Sequence, residues 1–136
     1  MAGPLANLSL VVITRDEEDN LPRCIGSVPG AGEVIVVDSL SGDRTVETAR
    51  GLGAIVYERP FVSAADQKNW AMEKASRDWI LVLDADESAS AELVRAMGEA
   101  IAHPRADGYR ILRRSEFLGR RIRFCGWRGE AVLRLF

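Results

Sequence analysis

A chain of 136 residues with 47% hydrophobic content and a net charge of −2 holds enough apolar material for one domain with a real core. That composition excludes a disordered tail, and no apolar run approaches the roughly 20 residues needed to span a bilayer. The near-neutral total hides an asymmetry, because residues 1–104 carry 9 basic and 17 acidic groups whereas residues 105–136 carry 9 arginines and 3 acids.

In chain order, Leu8 to Thr14 is a short apolar, β-rich run. The acidic cluster Asp16-Glu17-Glu18-Asp19 and a helix near Asn20 to Val28 follow it. Pro29-Gly30-Ala31-Gly32 reads as a turn, and Glu33 to Val37 as a second strand ending at Asp38. The loop Ser39-Leu40-Ser41-Gly42 leads into a helix from about Asp43, a residue suited to cap it, with Gly53 placed to close it. Ala54 to Glu58 is a third strand, broken by Pro60. Ser63 with Asp66 resembles a capping box, opening a helix with Ala64, Trp70, Ala71 and Ala75 on its apolar face. This helix is expected to run directly into a strand at Trp79.

Ser90 is then placed to cap a helix through about Ala102, stopped at His103-Pro104, where His103 reads as a C-terminal cap. Tyr109-Arg110-Ile111-Leu112 and Val132-Leu133-Arg134-Leu135 read as β-structure around a Gly-rich loop. Alternating strands and helices demand an α/β fold with a mainly parallel sheet and right-handed crossovers, ending in mixed β-structure. Neither an internal repeat nor a low-complexity segment interrupts the order.

The opening Met1-Ala2-Gly3-Pro4 lacks the basic region and long apolar segment of a signal peptide, so cytoplasmic residence is expected. Cys24 and Cys125 lie far apart without a CxxC or Cys/His cluster, which favours free buried thiols over a disulfide framework or a zinc site.

Chemistry concentrates where apolar runs meet polar residues. Trp79-Ile80-Leu81-Val82-Leu83 stops abruptly at Asp84-Ala85-Asp86-Glu87. An acid is costly inside a buried strand, but just past its carboxyl end it meets solvent and ligand. Two hard oxygen donors spaced in this way suit Mg²⁺ or Mn²⁺ with coordination positions left for nucleotide phosphates. The alternative is a pair of solvated or helix-capping acids. Strands ending at Thr14-Arg15-Asp16-Glu17, Asp38-Ser39 and Asp84-Ala85-Asp86 would, in a parallel sheet, bring these groups to one edge. Asp38 either caps a turn or accepts from a base N–H or a ribose hydroxyl. Glu17 and Glu18 suit a helix N-terminus equally well as a ligand. Lys68 is able to neutralise a diphosphate and Asn69 to fix a hydroxyl, with plain surface solvation the alternative for Lys68.

The Arg-rich end suits an anionic partner, whether phosphate, acidic saccharide, membrane surface or nucleic acid, or else a solvated strand face. Nucleic-acid binding through that segment with Phe117, Phe124 and Trp127 is the least favoured of these, and no nucleic-acid partner is expected. A haloacid-dehalogenase-type phosphatase also begins from an apolar strand and Asp-x-Asp. Here the motif follows three strands, no lysine follows Lys74, and no later adjacent Asp pair exists. GxxxxGK[ST] and GxGxxG are absent, which disfavours P-loop and Rossmann dinucleotide binding.

Three ordered motifs together resemble the GT-A nucleotide-sugar domain of glycosyltransferase family 2. Leu10-Val11-Val12-Ile13-Thr14-Arg15-Asp16-Glu17-Glu18 resembles its opening strand and Thr-x-Asn-Glu-Glu, with Asp16 in place of Asn. Val36-Val37-Asp38-Ser39-Leu40-Ser41-Gly42-Asp43-Arg44-Thr45 resembles its Val-Val-Asp-x-x-Ser-x-Asp-x-Thr, and Asp84-Ala85-Asp86 its DxD.

Gln67-Lys68-Asn69-Trp70-Ala71, Asp78-Trp79, Tyr109-Arg110-Ile111 with Arg113-Arg114, and the closing Gly126-Trp127-Arg128-Gly129-Glu130-Ala131-Val132-Leu133-Arg134-Leu135-Phe136 resemble the bacterial lipopolysaccharide-core subgroup. In that closing motif Glu130 stands at an Asp position. The resemblance implies that Thr14, Glu17 and Asp38 hold the nucleoside, Asp84 lies near its ribose, Asp86 binds a divalent metal, and Glu130 is the general base. It further implies inverting transfer from a nucleotide-diphosphate sugar, UDP-linked by expectation, to an envelope glycan or lipid-linked saccharide, with peripheral contact at the cytoplasmic face of the inner membrane. Members of the family continue into acceptor-side helices, so residues 1–136 are expected to be one domain cut before that segment. The alternative is a nucleotide-sugar-binding module without turnover.

Overall fold

The computed structural model describes residues 2–114, 116–117, 120–121 and 131–136. Strands β1 (Leu8–Thr14), β2 (Glu33–Asp38), β3 (Ile55–Glu58), β4 (Trp79–Asp84), β5 (Tyr109–Leu112), β6 (Glu116–Phe117), β7 (Arg120–Arg121) and β8 (Ala131–Leu135) alternate with four helices in the first part of the chain. The helices are α1 (Leu21–Gly26), α2 (Thr45–Gly51), α3 (Ala64–Met72) and α4 (Ala91–Ala102). Six strands form one sheet in the order β3-β2-β1-β4-β8-β5. The first four are parallel, as the alternation of elements requires, while β8 runs antiparallel to both β4 and β5. Strands β6 and β7 pair separately.

The central strands are largely apolar because both their faces are covered. Leu8, Leu10 and Val12 of β1, Val36 of β2, and Leu81 and Leu83 of β4 join Leu21 and Cys24 of α1, Ala49 of α2 and Met97 of α4 in one cluster. Val11, Ile35, Val37 and Val82 alternate to the other face and meet Ala71 of α3. Fully buried side chains such as Leu10, Ile35 and Leu81 each contribute about 2 kcal/mol through removal from water.

Local signals place most helix ends. Ser63 Oγ accepts the Asp66 N–H at 3.1 Å and Ser90 Oγ accepts the Leu93 N–H at 3.1 Å, so both expected caps form. The His103 N–H donates to the Glu99 carbonyl and closes α4. Gly53 adopts φ +83° after α2. Helix α1 is shorter than the Asn20–Val28 expectation, with Pro22 in its first turn and Ser27 as its C-cap. Helix α2 starts at Thr45, with Arg44 at the N-cap; Asp43, one position earlier than a cap, accepts the Thr45 N–H at 2.9 Å.

Helix α3 does not run into β4. It ends at Met72, and a turn intervenes before Trp79. The cause is distant in sequence, since Glu33 at the start of β2 accepts from Ser76 N at 2.5 Å, from Ser76 Oγ at 2.8 Å and from Ser9 Oγ at 2.5 Å. Burial alone would raise the Glu33 carboxyl, but these bonds and the Arg77 charge together hold it below its ordinary value of 4.5. A depressed folded-state value contributes stability that is complete above the unfolded value and is lost as pH falls through the folded one. Glu33→Gln is therefore expected to flatten the acid limb of the stability–pH curve below about pH 4.5. Urea melts of both proteins at pH 7 and pH 3 would check this, and parallel losses on acidification would contradict it.

Candidate functional site

The carboxyl ends of β2, β1 and β4 lie side by side. Thr14 is registered with Asp38, and Ile13 with Asp84. Residues up to 71 positions apart in the chain thus share one edge of the sheet, at the place where open α/β sheets bind ligands.

Two loops above β1 and β2 are knitted together by backbone-directed hydrogen bonds. Asp38 is fully buried, and its carboxylate accepts from both the Ser41 N–H, at 2.7 Å, and the Ser41 hydroxyl. The Ser39 N–H donates to the Thr14 carbonyl at 2.9 Å. Asp16 sits at φ +52°, a region that Asp and Asn tolerate better than other side chains do, so the Asp-for-Asn departure preserves the backbone requirement. Its Oδ1 accepts the Gly42 N–H at 2.7 Å, and its own N–H donates to Ser41 Oγ at 2.8 Å. The Glu17 N–H reaches Thr45 Oγ1 at 2.9 Å, while the half-buried Glu17 carboxylate accepts from Asn20 Nδ2 at 2.8 Å.

Beside them, the Asp84–Glu87 turn is closed by the Glu87 N–H donating to the Asp84 carbonyl at 2.9 Å, and by Glu87 Oε2 accepting from the Asp84 N–H at 3.3 Å. Lys68 Nζ, from α3, lies 3.1 Å from Asp84 Oδ1. Arg134 of β8 brings Nη2 to 3.0 Å from Glu87 Oε1 and 3.8 Å from Asp84 Oδ2, and Arg113 approaches Glu87 at 3.8 Å. Asp84 and Glu87 are therefore already matched by cations. Asp86 is different: it is exposed, its backbone carbonyl accepts from Arg23 Nη2 at 3.1 Å, and no hydrogen bond or ion pair engages its carboxylate among the described residues.

Among the described residues, no group of three His, Cys, Asp or Glu side chains is placed to hold a metal. The donor set fits a divalent cation that takes one or two carboxylates from protein and completes its shell with phosphate oxygens and water. Asp86 supplies such a hard, uncommitted oxygen.

Thr14, Glu17, Asp38, Lys68, Asp84 and Asp86 thus sit at or next to one sheet edge. Asn69, one helical step past Lys68, is exposed, and no hydrogen bond ties its side chain to these groups among the described residues. Glu130 and Cys125 lie outside the described residues. Cys24 is buried as expected, and burial first, then the charges of Glu87, Asp86 and Asp84, pushes its thiol up to about 12, so it is no nucleophile near neutral pH.

Three residues join the site that were not singled out as site residues from sequence. Glu87 and Arg134 build the turn just described. Gln67 is fully buried and donates from Nε2 to Ser39 Oγ at 3.0 Å, leaving its Oε1 without a partner among the described residues. Thr14 Oγ1, also buried, lacks a hydrogen-bond partner among the described residues too. Unpaired buried polar atoms are rare and point to groups supplied from elsewhere. The only advance signal for Gln67 was its position in the Gln-Lys-Asn run.

Residues 9–125 match the family model described as Glycosyl transferase family 2. The chain belongs to that family of enzymes, and its sheet is the α/β scaffold of GT-A members. An uncharacterized glycosyltransferase of Rickettsia bellii (strain RML369-C) is 42% identical over 103 residues, covering 75% of this chain and 35% of that protein. LpsC, a lipopolysaccharide core biosynthesis glycosyltransferase of Rhizobium meliloti (strain 1021), is 33% identical over 123 residues, covering 85% of this chain and 45% of that protein. The crystal structure of glucosyl-3-phosphoglycerate synthase from Mycobacterium tuberculosis, in complex with Mn²⁺, UDP and glucosyl-3-phosphoglycerate, aligns with a TM-score of 0.50 at 25% identity. That match covers 60% of this chain and 35% of the synthase. The chain therefore spans less than half the length of these curated relatives.

Proposed function

We propose that this chain binds a nucleoside diphosphate sugar, UDP-linked, at the carboxyl edge of β1, β2 and β4. In the presence of Mg²⁺ or Mn²⁺ it transfers the sugar with inversion to a bacterial envelope glycan or lipopolysaccharide-core acceptor. The observation that carries this reading is the side-by-side placement of Thr14, Asp38 and Asp84, with the uncommitted carboxylate of Asp86 just beyond.

Thr14, Glu17 and Asp38 form the nucleoside wall. Thr14 Oγ1 and Gln67 Oε1, buried without a hydrogen-bond partner among the described residues, support a polar ligand there. Asp84 faces the ribose, and Lys68, now on Asp84, is within reach of an incoming diphosphate. Asn69 serves a hydroxyl from the exposed side of α3. Asp86 is the metal ligand, and a bound cation supplies charge for the departing diphosphate. That assignment is supported by the Mn²⁺ and UDP of the synthase structure.

Glu130, by the family resemblance, takes the proton of the acceptor hydroxyl, whose oxygen attacks the anomeric carbon opposite the leaving nucleotide. Much of the rate comes from positioning. Exposed Arg110 and Arg114 add positive charge in and just after β5, suited to a phosphorylated acceptor or the anionic inner face of the membrane. No helix among the described residues is long and apolar enough to cross a membrane.

Calorimetric titration of the purified chain with UDP, GDP and ADP, each with and without Mn²⁺, tests the donor site. Binding of UDP that requires Mn²⁺ is the expected result; a folded chain that binds none of the three overturns the reading. Binding without sugar transfer to any envelope acceptor favours a donor-binding module, an alternative motivated by the short span relative to the curated relatives.

A further inference from the structure

Arg134 is an arginine on an alternating apolar strand, Val132-Leu133-Arg134-Leu135, yet it is buried at 9% exposure. Burying a guanidinium is unfavourable unless its donors are matched, and these are. Nη1 donates to the Val82 carbonyl at 3.0 Å, inside β4, and Nη2 donates to Glu87 Oε1 at 3.0 Å with Asp84 Oδ2 at 3.8 Å. Glu87 in turn grips the Asp84 N–H through its other oxygen and closes the turn with its own N–H. One side chain from β8 thus bridges β4, at Val82, and the loop that carries Asp86, at Glu87.

We propose that Arg134 and Glu87 are positioning residues that hold the Asp84–Asp86 turn in its metal-binding shape. The metal part of this inference rests on the donor-site reading above. Two physical effects run together. The fork geometry of Arg134 fixes the turn at two points, the Val82 carbonyl and Glu87, which an ammonium cannot reproduce. Its charge, with those of Lys68 and Arg113, also offsets Asp84 and Glu87, so that of the three neighbouring acids only Asp86 presents a carboxylate unmatched among the described residues.

Arg134→Lys separates these effects. It keeps the charge and loses the fork, so electrostatics alone predicts no change, whereas positioning predicts a loss. The expected results in the purified chain are faster amide hydrogen exchange at Glu87 by about tenfold and a rise of about tenfold in the Mn²⁺ concentration that half-saturates UDP binding, the scale of lost outer-shell support at metal sites. Amide exchange in β1 should stay at wild-type values.

Glu87→Gln, which retains an oxygen for Arg134, is the companion should Arg134→Lys fail to fold, with the same two readouts. Unchanged Glu87 exchange in the folded variants overturns the positioning role, whatever the ligand does. A wild-type chain that shows no Mn²⁺-dependent UDP binding refutes the donor reading instead, and the exchange measurement still decides whether the arginine holds the turn. Faster exchange with an unchanged Mn²⁺ requirement overturns the link between the turn's shape and the metal.

Discussion

Asp86→Ala is expected to abolish Mn²⁺-dependent nucleotide binding and to lower kcat/KM for sugar transfer by roughly a thousandfold, while the protein melts at its wild-type temperature. The loss follows from the chemistry of the leaving group, since a metal contributes several kcal/mol of charge stabilisation and each 1.4 kcal/mol is about tenfold in rate. The unchanged melting follows from the structure, because Asp86 is exposed and its carboxylate has no partner among the described residues. Asp84→Ala makes the contrast. Asp84 is contacted by Lys68 and Arg134, so its removal should both impair binding and destabilise the fold, by about 1 kcal/mol given that Asp84 is more than a third exposed. Differential scanning calorimetry beside a transfer assay distinguishes the two variants. Wild-type turnover by Asp86→Ala would remove Asp86 from the metal role.

The legible parts of this molecule are those whose cause is local. Strand β1 was readable to the residue, and β4 to all but its last residue, Asp84, because a strand covered on both faces is mostly apolar. Thr14, Asp38 and Asp84 were readable as neighbours because parallel strands put like ends together. What was hidden depends on partners far away in the chain. The turn before Trp79 carries no Gly or Pro signal, and it exists because Glu33, 43 residues earlier, takes hold of Ser76. Arg134 occupies a strand position whose neighbours suggest an ordinary solvent-facing residue, and only its bonds to Val82 and Glu87, 52 and 47 residues away, explain its burial. Gln67 and Asn69 sit two steps apart on one helix, and no local pattern says that the first is fully buried and the second exposed. Such side chains are decided by the packing of α3 against β1 and β2, which comes into being only with the whole sheet.

The opposite edge of the same sheet should govern stability and leave binding alone, and Gly32→Ala is the sharpest test of that division. Gly32 lies at the amino-terminal side of β2, where its N–H donates to the Leu8 carbonyl at 2.9 Å and Arg77 donates to its carbonyl at 3.2 Å. A methyl group there would stand 1.9 Å from the Ala6 carbonyl oxygen and 2.8 Å from its carbon, and backbone cannot swing aside as a flexible side chain would. Relief requires the segment before β1 to move away from the turn, breaking the bonds that join them. A cost of about 3 kcal/mol is expected, a large share of a small domain's roughly 5–15 kcal/mol, which lowers the melting temperature by about 10 °C. Gly30→Ala in the same turn is the internal control. Gly30 needs its positive φ of 83° but has nothing within 4 Å of the added carbon, so the expected penalty is only the left-handed strain of about 1–2 kcal/mol. At a temperature where both variants are folded, each should bind UDP with Mn²⁺ as the wild type does. An equal or larger loss in Gly30→Ala would show that the close approach at Gly32 is relieved cheaply; weakened UDP binding in folded Gly32→Ala would show that the two edges of the sheet are not independent.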